Sequence, residues 1–287
     1  MYDEEDTRQW VVQEFPGVFS GCVGQLKGFA HLIRLKEGAK PKIQKVRNIP
    51  FIVRDEVKKE LDRLQSLQII EPVEASEWVS PLVVARKANG KVRLCVDLRG
   101  LNENIIMDQF PLPRIDEMLS ATRDAKWFST LDLSSGYHQV KLDYHSRHLT
   151  TFCTPWGCFR FKSMPFGLAS GAAVFQRLMA QLFGHLPNVT FFQDYILVMG
   201  SSKKRYDKEV RHVLHILQKT GLTAESSKCR FAQRNVTYLG HEIDQDGIRP
   251  KKKLVEAIRN APSPTSKDDL RSFLGLAEFY LKFVENF

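Results

Sequence analysis

The chain has 287 residues, of which 43% are hydrophobic and 26% charged, and its formal net charge is +9. This length allows one large domain or a few small ones, and this composition is typical of a folded globular protein and excludes a disordered chain. The surplus of Lys and Arg suggests a polyanionic partner, most commonly nucleic acid, although a merely basic surface would give the same charge.

The N-terminal residues 1–6 are acidic and precede no apolar segment, which argues against a signal peptide. No run of about 18 apolar residues occurs, so no membrane-spanning segment is predicted. The five cysteines are odd in number and match no zinc-binding spacing, so we expect reduced thiols in an intracellular protein, cytoplasmic or nuclear. They are Cys22, Cys95, Cys153, Cys158 and Cys229.

Residues 1–49 show no hydrophobic period because glycines recur through them, and we expect an irregular, extended leader. Apolar residues then recur at helical spacing from Arg54 to Leu67, and Pro72 is expected to close that segment.

Two strand-like runs, 81–85 and 92–96, flank Asn89-Gly90, a pair of residues that favours a type I′ hairpin turn. Basic side chains cluster near this turn and would suit a grip on phosphates; they are Arg86, Lys87, Lys91 and Arg93.

The apolar segment 126–133 predicts a short buried strand that carries Asp132 at its end. A second hairpin is predicted from 150–153 and 158–161, followed by a helix over 169–183. A third hairpin pairs 189–192 with 196–199 and places Asp194 at its tip.

Apolar spacing over 210–217 predicts a helix that Gly221 can cap, and a fourth hairpin is predicted around Arg234 and Asn235. Beyond Pro264 a last helix is expected, with Ser266 as its N-cap. Hairpins mixed with helices indicate an α+β fold rather than a parallel α/β fold.

Asp132 and Asp194 each stand at the end of an apolar strand, where an unpaired charge is costly. If the fold brings them together, they would suit Mg²⁺, a hard cation that prefers oxygen ligands, and two-metal phosphoryl transfer uses such a pair. The alternative is that Asp132 only caps a turn and that Asp194 stands at the hairpin tip for its turn propensity. On these fragments alone, that alternative is favoured.

Several segments resemble, in order, motifs of reverse transcriptases from gypsy-type long-terminal-repeat retrotransposons. The similarity extends from about Phe15 to Phe287. The segments are 92–102, 110–116, LDLSSGYHQ at 131–139, MPFGL at 164–168, 175–179, 228–231, YLGH at 238–241 and 270–276.

The resemblance implies catalytic roles for three of the positions that match. Asp132 and Asp194 correspond to metal ligands for Mg²⁺, and Lys228 corresponds to a residue that could protonate departing pyrophosphate. Without the resemblance, Lys228 would be interpreted as a solvated charge.

The resemblance also implies a nucleotide-binding set. Tyr137 corresponds to a gate that excludes a ribose 2′-hydroxyl, Phe166 and Gly167 to the pocket floor, and Arg93 with Arg86 or Lys87 to the triphosphate grip. Residues 238–241 resemble the primer grip. From the residues alone, Tyr137 and Phe166 would be interpreted as core aromatics.

The fold that the resemblance implies is a right-hand polymerase with an antiparallel palm sheet and packed helices. We expect a leader over 1–48, fingers over 49–125 with a return near 145–164, a palm over 126–249 and the start of a thumb or connection over 250–287. The implied activity is RNA-directed DNA polymerisation on an RNA or DNA template with a primer, using deoxynucleoside triphosphates.

The hairpin tip departs from the family pattern because Tyr195 stands where relatives carry a second aspartate. A neutral phenol is a poor Mg²⁺ ligand and is larger than Asp, so we expect it to crowd the site and impair catalysis. Residues 170–172 also depart from the usual Asn-Ala-Pro, and the chain ends before the expected ribonuclease H domain.

Three functional hypotheses therefore remain from the sequence. The chain is a working or weakly working enzyme, a non-catalytic nucleic-acid-binding remnant or domesticated module, or an element remnant without selected function. The sequence indicates no oligomeric state.

Overall fold

A computed structural model describes residues 4–86, 90 and 92–278, in which helices alternate with hairpins. The helices are α1 (Glu4–Glu14), α2 (Arg54–Ser66), α3 (Arg99–Asn102), α4 (Ile115–Ser120), α5 (Tyr144–Arg147), α6 (Gly171–Phe183), α7 (Lys203–Thr220), α8 (Lys252–Arg259) and α9 (Lys267–Glu278). The strands are β1 (Ala30–His31), β2 (Ile70–Val73), β3 (Ser80–Arg86), β4 (Val92–Val96), β5 (Trp127–Asp132), β6 (Lys141–Leu142), β7 (Phe152–Thr154), β8 (Gly157–Phe161), β9 (Val189–Phe192), β10 (Tyr195–Gly200), β11 (Arg230–Gln233), β12 (Asn235–Tyr238), β13 (His241–Asp244) and β14 (Gly247–Pro250). None of these helices is both long enough and apolar enough to cross a membrane.

A four-stranded antiparallel sheet has the strand order β11-β5-β10-β9. Strands β5 and β10 carry fully buried apolar side chains such as Phe128, Leu131 and Ile196, because helices pack against the sheet. Helix α7 approaches β10 closely, and a Cβ at Gly200 would lie 2.5 Å from the Cβ of Tyr206. The predicted strand before Asp132 and the predicted hairpin around Asp194 are confirmed.

A five-stranded sheet has the order β2-β8-β7-β3-β4, and its strands are antiparallel except for the parallel pair β3 and β7. Helix α2 packs against this sheet through the buried side chains of Val57, Leu61 and Leu64. Both predicted hairpins, β3–β4 and β7–β8, are confirmed. The predicted Asn-Gly turn falls mostly outside the described residues, since 87–89 and 91 are not among them.

The expectation that Pro72 closes the first helical segment is wrong. Helix α2 ends at Ser66, Gln68 takes a left-handed φ of 57°, and Pro72 lies within β2. The turn at Gln68, rather than the proline, therefore redirects the chain into the sheet.

The later helices match their predicted positions. Helix α6 begins at Gly171, and α7 ends at Thr220 and is capped by Gly221, whose φ of 81° is the left-handed conformation of a C-terminal cap. The Ser266 hydroxyl accepts a hydrogen bond from the Asp269 amide at 3.1 Å, which confirms it as the cap of α9.

The predicted fourth hairpin is wrong, because β11 and β12 belong to different sheets. Strand β11 pairs with β5, whereas β12 pairs with β13 in a three-stranded antiparallel sheet with β14. The Ala232 amide donates to the Tyr206 hydroxyl at 2.7 Å and Ala232 has a φ of 51°. This irregularity is a shift of register within β11, whose pairing with β5 resumes at Gln233 before the chain enters β12.

The expectation of an irregular leader is also wrong for residues 4–14, which form α1. Thr7 and Val11 of this helix are buried, and the Arg8 guanidinium donates to the carbonyl oxygens of Ser226 at 2.7 Å and Cys229 at 2.8 Å. The helix escaped prediction because it buries few side chains and therefore shows a weak apolar period.

The prediction of five reduced cysteines is wrong for one pair. Cys153 on β7 lies directly opposite Cys158 on β8, with a Cα–Cα distance of 4.0 Å, and the two form a disulfide. The antiparallel register brings them together, which a spacing test for zinc sites does not detect. Cys22, Cys95 and Cys229 are free thiols.

Candidate active site

Two carboxylates meet at one end of the four-stranded sheet. Asp132 ends β5, and Asp194 lies in the turn that joins β9 to β10. In the antiparallel register Asp132 is opposite Tyr195, and the Leu133 amide donates to the Asp194 carbonyl oxygen at 2.9 Å. Both aspartates line a cleft of about 340 Å³. The structure therefore brings together the two predicted metal ligands from distant parts of the chain.

Burial and two neighbouring charges shift the pKa of Asp194. Burial raises the pKa of Asp194 and the negative charge of Asp132 raises it as well, whereas the Lys228 ammonium lowers it. Lys228 Nζ also donates to Asp132 Oδ1 at 3.1 Å. Two neighbouring carboxylates that repel each other in a cleft offer oxygen donors of the type that a divalent cation prefers.

The donor set is smaller than the family pattern predicts. Among the described residues, no group of three or more His, Cys, Asp and Glu side chains is arranged to hold a metal ion. Asp132 and Asp194 are thus a pair of carboxylates without a third acidic side chain grouped with them in the described part of the chain. Their chemistry fits a divalent cation, but with fewer protein ligands than the resemblance implies.

Close approach at Gly136 positions the loop after Asp132 against the hairpin tip. A Cβ at Gly136 would lie 2.7 Å from the Cβ of Asp194 and 3.2 Å from the Phe175 ring. Ser135, just before it, has a left-handed φ of 51°. The sequence analysis did not single out Gly136, although the Ser-Ser-Gly that follows Leu133 was the available signal.

An aromatic wall of Phe166, Tyr137 and Phe175 lies near these carboxylates, and of these three rings Phe166 lines the cleft. The Tyr137 ring stacks on Phe166 with centroids 5.2 Å apart and also contacts Phe175 at 5.4 Å. Burial and the nearby Asp194 charge raise the pKa of Tyr137, so its hydroxyl stays protonated. Gly167 has a φ of 87°, and its carbonyl accepts from Asn102 Nδ2 at 2.9 Å.

The predicted phosphate-binding residues separate into different places. The Arg93 guanidinium lies 5.3 Å from the Phe166 ring centroid, and Arg93 lines the cleft. Arg86 instead forms an ion pair with Glu56 at 3.2 Å and does not line the cleft. Lys87 lies outside the described residues. Arg93 is thus the cation of this set that the structure places beside the aspartates.

Tyr195 does not line the cleft that holds the two aspartates, although it is opposite Asp132 in the strand register. Its ring stacks on Tyr238 with centroids 5.4 Å apart, and its hydroxyl donates to the Thr237 carbonyl at 3.3 Å. It lines a separate cavity of about 320 Å³ that Lys228 and Arg230 also line. These contacts do not support the expectation that Tyr195 crowds the metal site, because its ring packs on Tyr238 and does not line the cleft.

Two polar residues near the cleft were missed by the sequence analysis. The Tyr137 hydroxyl donates to Gln193 Oε1 at 3.1 Å, so the variable position of the hairpin tip contacts the aromatic wall. His138 lines the cleft, and burial lowers the pKa of His138 to about 4, with the Arg63 charge acting in the same direction. The signal for Gln193 was a polar side chain between an apolar strand and Asp194.

Comparison with known proteins shows which family this chain resembles. The family described as "Reverse transcriptase (RNA-dependent DNA polymerase)" matches residues 85–243. The chain is 36% identical over 263 residues to the retrovirus-related Pol polyprotein from transposon 412 of Drosophila melanogaster, covering 89% of this chain and 21% of that one. It is 34% identical over 245 residues to the Pol polyprotein from transposon gypsy of the same organism, covering 82% and 23%. The chain thus spans only a fraction of the length of these relatives.

Solved structures show the same architecture. The foamy viral protease-reverse transcriptase in complex with double-stranded DNA superposes with a TM-score of 0.89 at 23% identity, covering 99% of this chain and 60% of that one. The same enzyme with an RNA/DNA hybrid gives a TM-score of 0.85 at 21% identity, covering 96% and 38%. The predicted α+β right-hand polymerase fold is confirmed.

Proposed function

Because the chain belongs to the reverse transcriptase (RNA-dependent DNA polymerase) family, in its long-terminal-repeat retrotransposon group, we propose that it is an RNA-directed DNA polymerase core with impaired catalysis. The observation that carries this proposal is the meeting of Asp132 and Asp194 in one cleft with Arg93 and Phe166. Carboxylates next to an arginine and an aromatic floor suit a nucleoside triphosphate with a divalent cation.

The two aspartates are proposed as the ligands of Mg²⁺, since the family uses divalent metal ions and their carboxylates are close together. When bound, the cation would polarise phosphate oxygens and lower the pKa of the primer 3′-hydroxyl. Lys228 carries its protons on Nζ, 3.1 Å from Asp132. We propose that it holds one there for the departing pyrophosphate.

The nucleotide pocket is proposed to use Arg93 for the triphosphate and the Phe166–Gly167 turn as its floor. Tyr137, stacked on Phe166 and beside Asp194, would form the wall that excludes a ribose 2′-hydroxyl. Arg86 is engaged with Glu56, and it would contribute only after that exposed pair opens. Lys87 stays part of the proposed grip on the basis of the resemblance alone.

Impairment follows from Tyr195, which leaves the site one carboxylate short. A neutral phenol cannot replace an anionic ligand, and its ring is engaged with Tyr238 and Thr237 instead. We expect chemistry to slow while substrate binding persists, because the cleft itself is unobstructed.

Primer–template nucleic acid is the proposed partner. The net charge of +9 and the likeness to enzymes solved with double-stranded DNA and an RNA/DNA hybrid support this assignment. We propose fingers over 49–125 with a return over 145–164, a palm over 126–249, a thumb or connection from 250 and a leader over 1–48. The five-stranded sheet supports the return, since β7 and β8 pair with β3 and β2.

A second candidate function is a nucleic-acid-binding module without catalysis. The missing carboxylate favours it, as does the Lys228 contact with Asp132, in which the ammonium partly neutralises one of the two remaining ligands. The two candidates share the binding step and differ only in chemistry.

The test compares the chain with its Asp132→Asn and Asp194→Asn variants on a labelled primer–RNA template. We expect salt-sensitive binding by all three proteins, slow extension by the unchanged chain with Mg²⁺, and a further loss of about 100-fold or more in either variant. Binding without any extension, with Mg²⁺ or Mn²⁺, would select the second candidate. Failure to bind at low salt would contradict both.

A further inference from the structure

The side chain of Gln193 contacts the hydroxyl end of the Tyr137 ring, whereas its aromatic neighbours contact the ring itself. Phe166 stacks on the ring and Phe175 contacts it, but these apolar contacts leave the hydroxyl end unrestrained. That end donates to Gln193 Oε1 at 3.1 Å. The ring is therefore fixed by two apolar contacts and one directional polar contact.

Gln193 is itself fixed by the hairpin that carries Asp194. Its backbone takes a left-handed φ of 52°, and its amide donates to Gln176 Oε1 at 2.8 Å. Gln176 is only 2% exposed and donates through Nε2 to the Phe191 carbonyl at 3.3 Å. An anchored backbone makes the Gln193 side chain a fixed acceptor rather than a mobile surface group.

We propose that Gln193 is a positioning residue for sugar selection, which holds Tyr137 in the orientation that excludes a ribose 2′-hydroxyl. The inference rests on the proposed function of Tyr137 and deepens it, since it assigns part of the selectivity to the hairpin tip. A steric wall discriminates only as well as it resists displacement, and the hydroxyl contact opposes rotation of the ring away from the cleft.

Gln193→Met is the informative replacement, because methionine has a similar length but no comparable acceptor for the Tyr137 hydroxyl. Tyr137→Phe removes the same hydrogen bond from the other partner. The double variant completes a thermodynamic cycle. If Gln193→Met and Tyr137→Phe both act by removing the same hydrogen bond, adding one substitution to the other has no further effect. Gln218→Met on the exposed face of α7 is the matched control.

The readout is binding, so that the state of the chemistry does not matter. The full chain is bound to an RNA template and a dideoxy-terminated primer with Mg²⁺, and Kd is measured for the complementary deoxynucleotide and ribonucleotide. We expect Gln193→Met to lower the preference for the deoxynucleotide by about three- to tenfold, as for the loss of one neutral hydrogen bond. The change should come from a lower Kd for the ribonucleotide, while the Kd for the deoxynucleotide stays about the same.

Two different results would overturn the inference. The first result is that Gln193→Met leaves the ratio of the two Kd values unchanged, or lowers it as much in the Tyr137→Phe background as in the unchanged chain. Either observation would mean that the hydrogen bond does not position the wall. That result leaves the proposed function intact, because deoxynucleotide binding persists. If the unchanged chain binds neither nucleotide, the proposed function fails, and the inference fails with it.

Discussion

The ionised form of Asp194 is disfavoured when no cation is bound at the site. Its carboxylate is partly buried and faces the charge of Asp132, and both effects raise the pKa of Asp194. Lys228 offsets part of this repulsion but is itself largely exposed and contacts Asp132. A divalent cation between the carboxylates would favour the ionised form, which is the state that the proposed chemistry needs.

Another buried titratable group, His31 on β1, gives a prediction about acid stability. Burial lowers the pKa of His31 to about 4, and the charges of Arg177 and Arg34 act in the same direction against Asp108. The unfolded chain, with a His pKa of about 6.5, therefore binds a proton that the folded chain excludes. The contribution of neutral His31 to the stability of the fold is therefore complete above about pH 6.5 and is lost as the pH falls through about 4.

We expect the unfolding temperature to fall between pH 6.5 and pH 4, and to fall less in His31→Gln. The corresponding losses of unfolding free energy should differ between the two proteins by an amount on the order of 3 kcal/mol. Thermal unfolding followed by circular dichroism at several pH values measures this difference. Burial also lowers the pKa of His138 to about 4. The unchanged chain and His31→Gln both retain the pH dependence of stability that comes from His138. Parallel pH curves for the two proteins would show that His31 is not responsible.

The family resemblance, rather than the residue pattern alone, allowed prediction of the two aspartates as a shared site, and neither predicted the contacts of Tyr195. A carboxylate after an apolar strand is visible in the sequence, and pairing of β5 with β10 then brings Asp132 and Asp194 together. The direction of the Tyr195 ring depends on Tyr238 and Thr237, which lie on a different sheet. Contacts of that kind leave no local signal in the sequence.

At the scale of elements, Arg8 adds polar contacts to the packing of α1 on the four-stranded sheet. Arg8 donates to two backbone carbonyl oxygens, those of Ser226 and Cys229, and its guanidinium lies 5.6 Å from the Phe231 ring centroid. These carbonyl groups flank Lys228, so the helix supports the segment that carries the proposed proton donor.

Arg8→Met is expected to destabilise the fold by about 2–3 kcal/mol, because it removes charge-assisted hydrogen bonds and leaves backbone carbonyls without donors. Arg211→Met is the matched control, since Arg211 makes an exposed ion pair with Glu14 and stacks over Trp10. A loss of about 1 kcal/mol or less is expected there. Urea denaturation measures both, and equal effects would contradict the proposed role of Arg8.

Elements with a strong period were predictable, and those set by tertiary contacts were not. Helices α2 and α7 carry buried residues at regular spacing, and the β9–β10 hairpin has apolar strands around a short tip. Strand β11 instead shifts its register against β5 between Arg230 and Gln233, where the Ala232 amide donates to the Tyr206 hydroxyl. Its sequence alone is equally compatible with a hairpin.

At the scale of the molecule, two sheets enclose the cleft between them. The cleft is lined by Arg93 and Phe161 from the five-stranded sheet and by Asp132 from the four-stranded sheet, with Asp194 in the connecting turn. The order of sequence motifs allowed the fold to be predicted by resemblance, whereas composition and periodicity alone reached only an α+β class. The assignment of nucleic acid as partner depends on this arrangement as much as on the net charge of +9.

The central claim is that the missing carboxylate at position 195 is the principal defect of an otherwise intact polymerase site. Primer extension on an RNA template tests it most directly, with Mg²⁺ and with Mn²⁺, for the unchanged chain, Tyr195→Asp and Tyr195→Phe. We predict that Tyr195→Asp extends primers about 100-fold faster or more, while Tyr195→Phe is as slow as the unchanged chain and all three bind primer–template equally. Equal extension by the unchanged chain and Tyr195→Asp would contradict the claim, because the two carboxylates at Asp132 and Asp194 would then suffice.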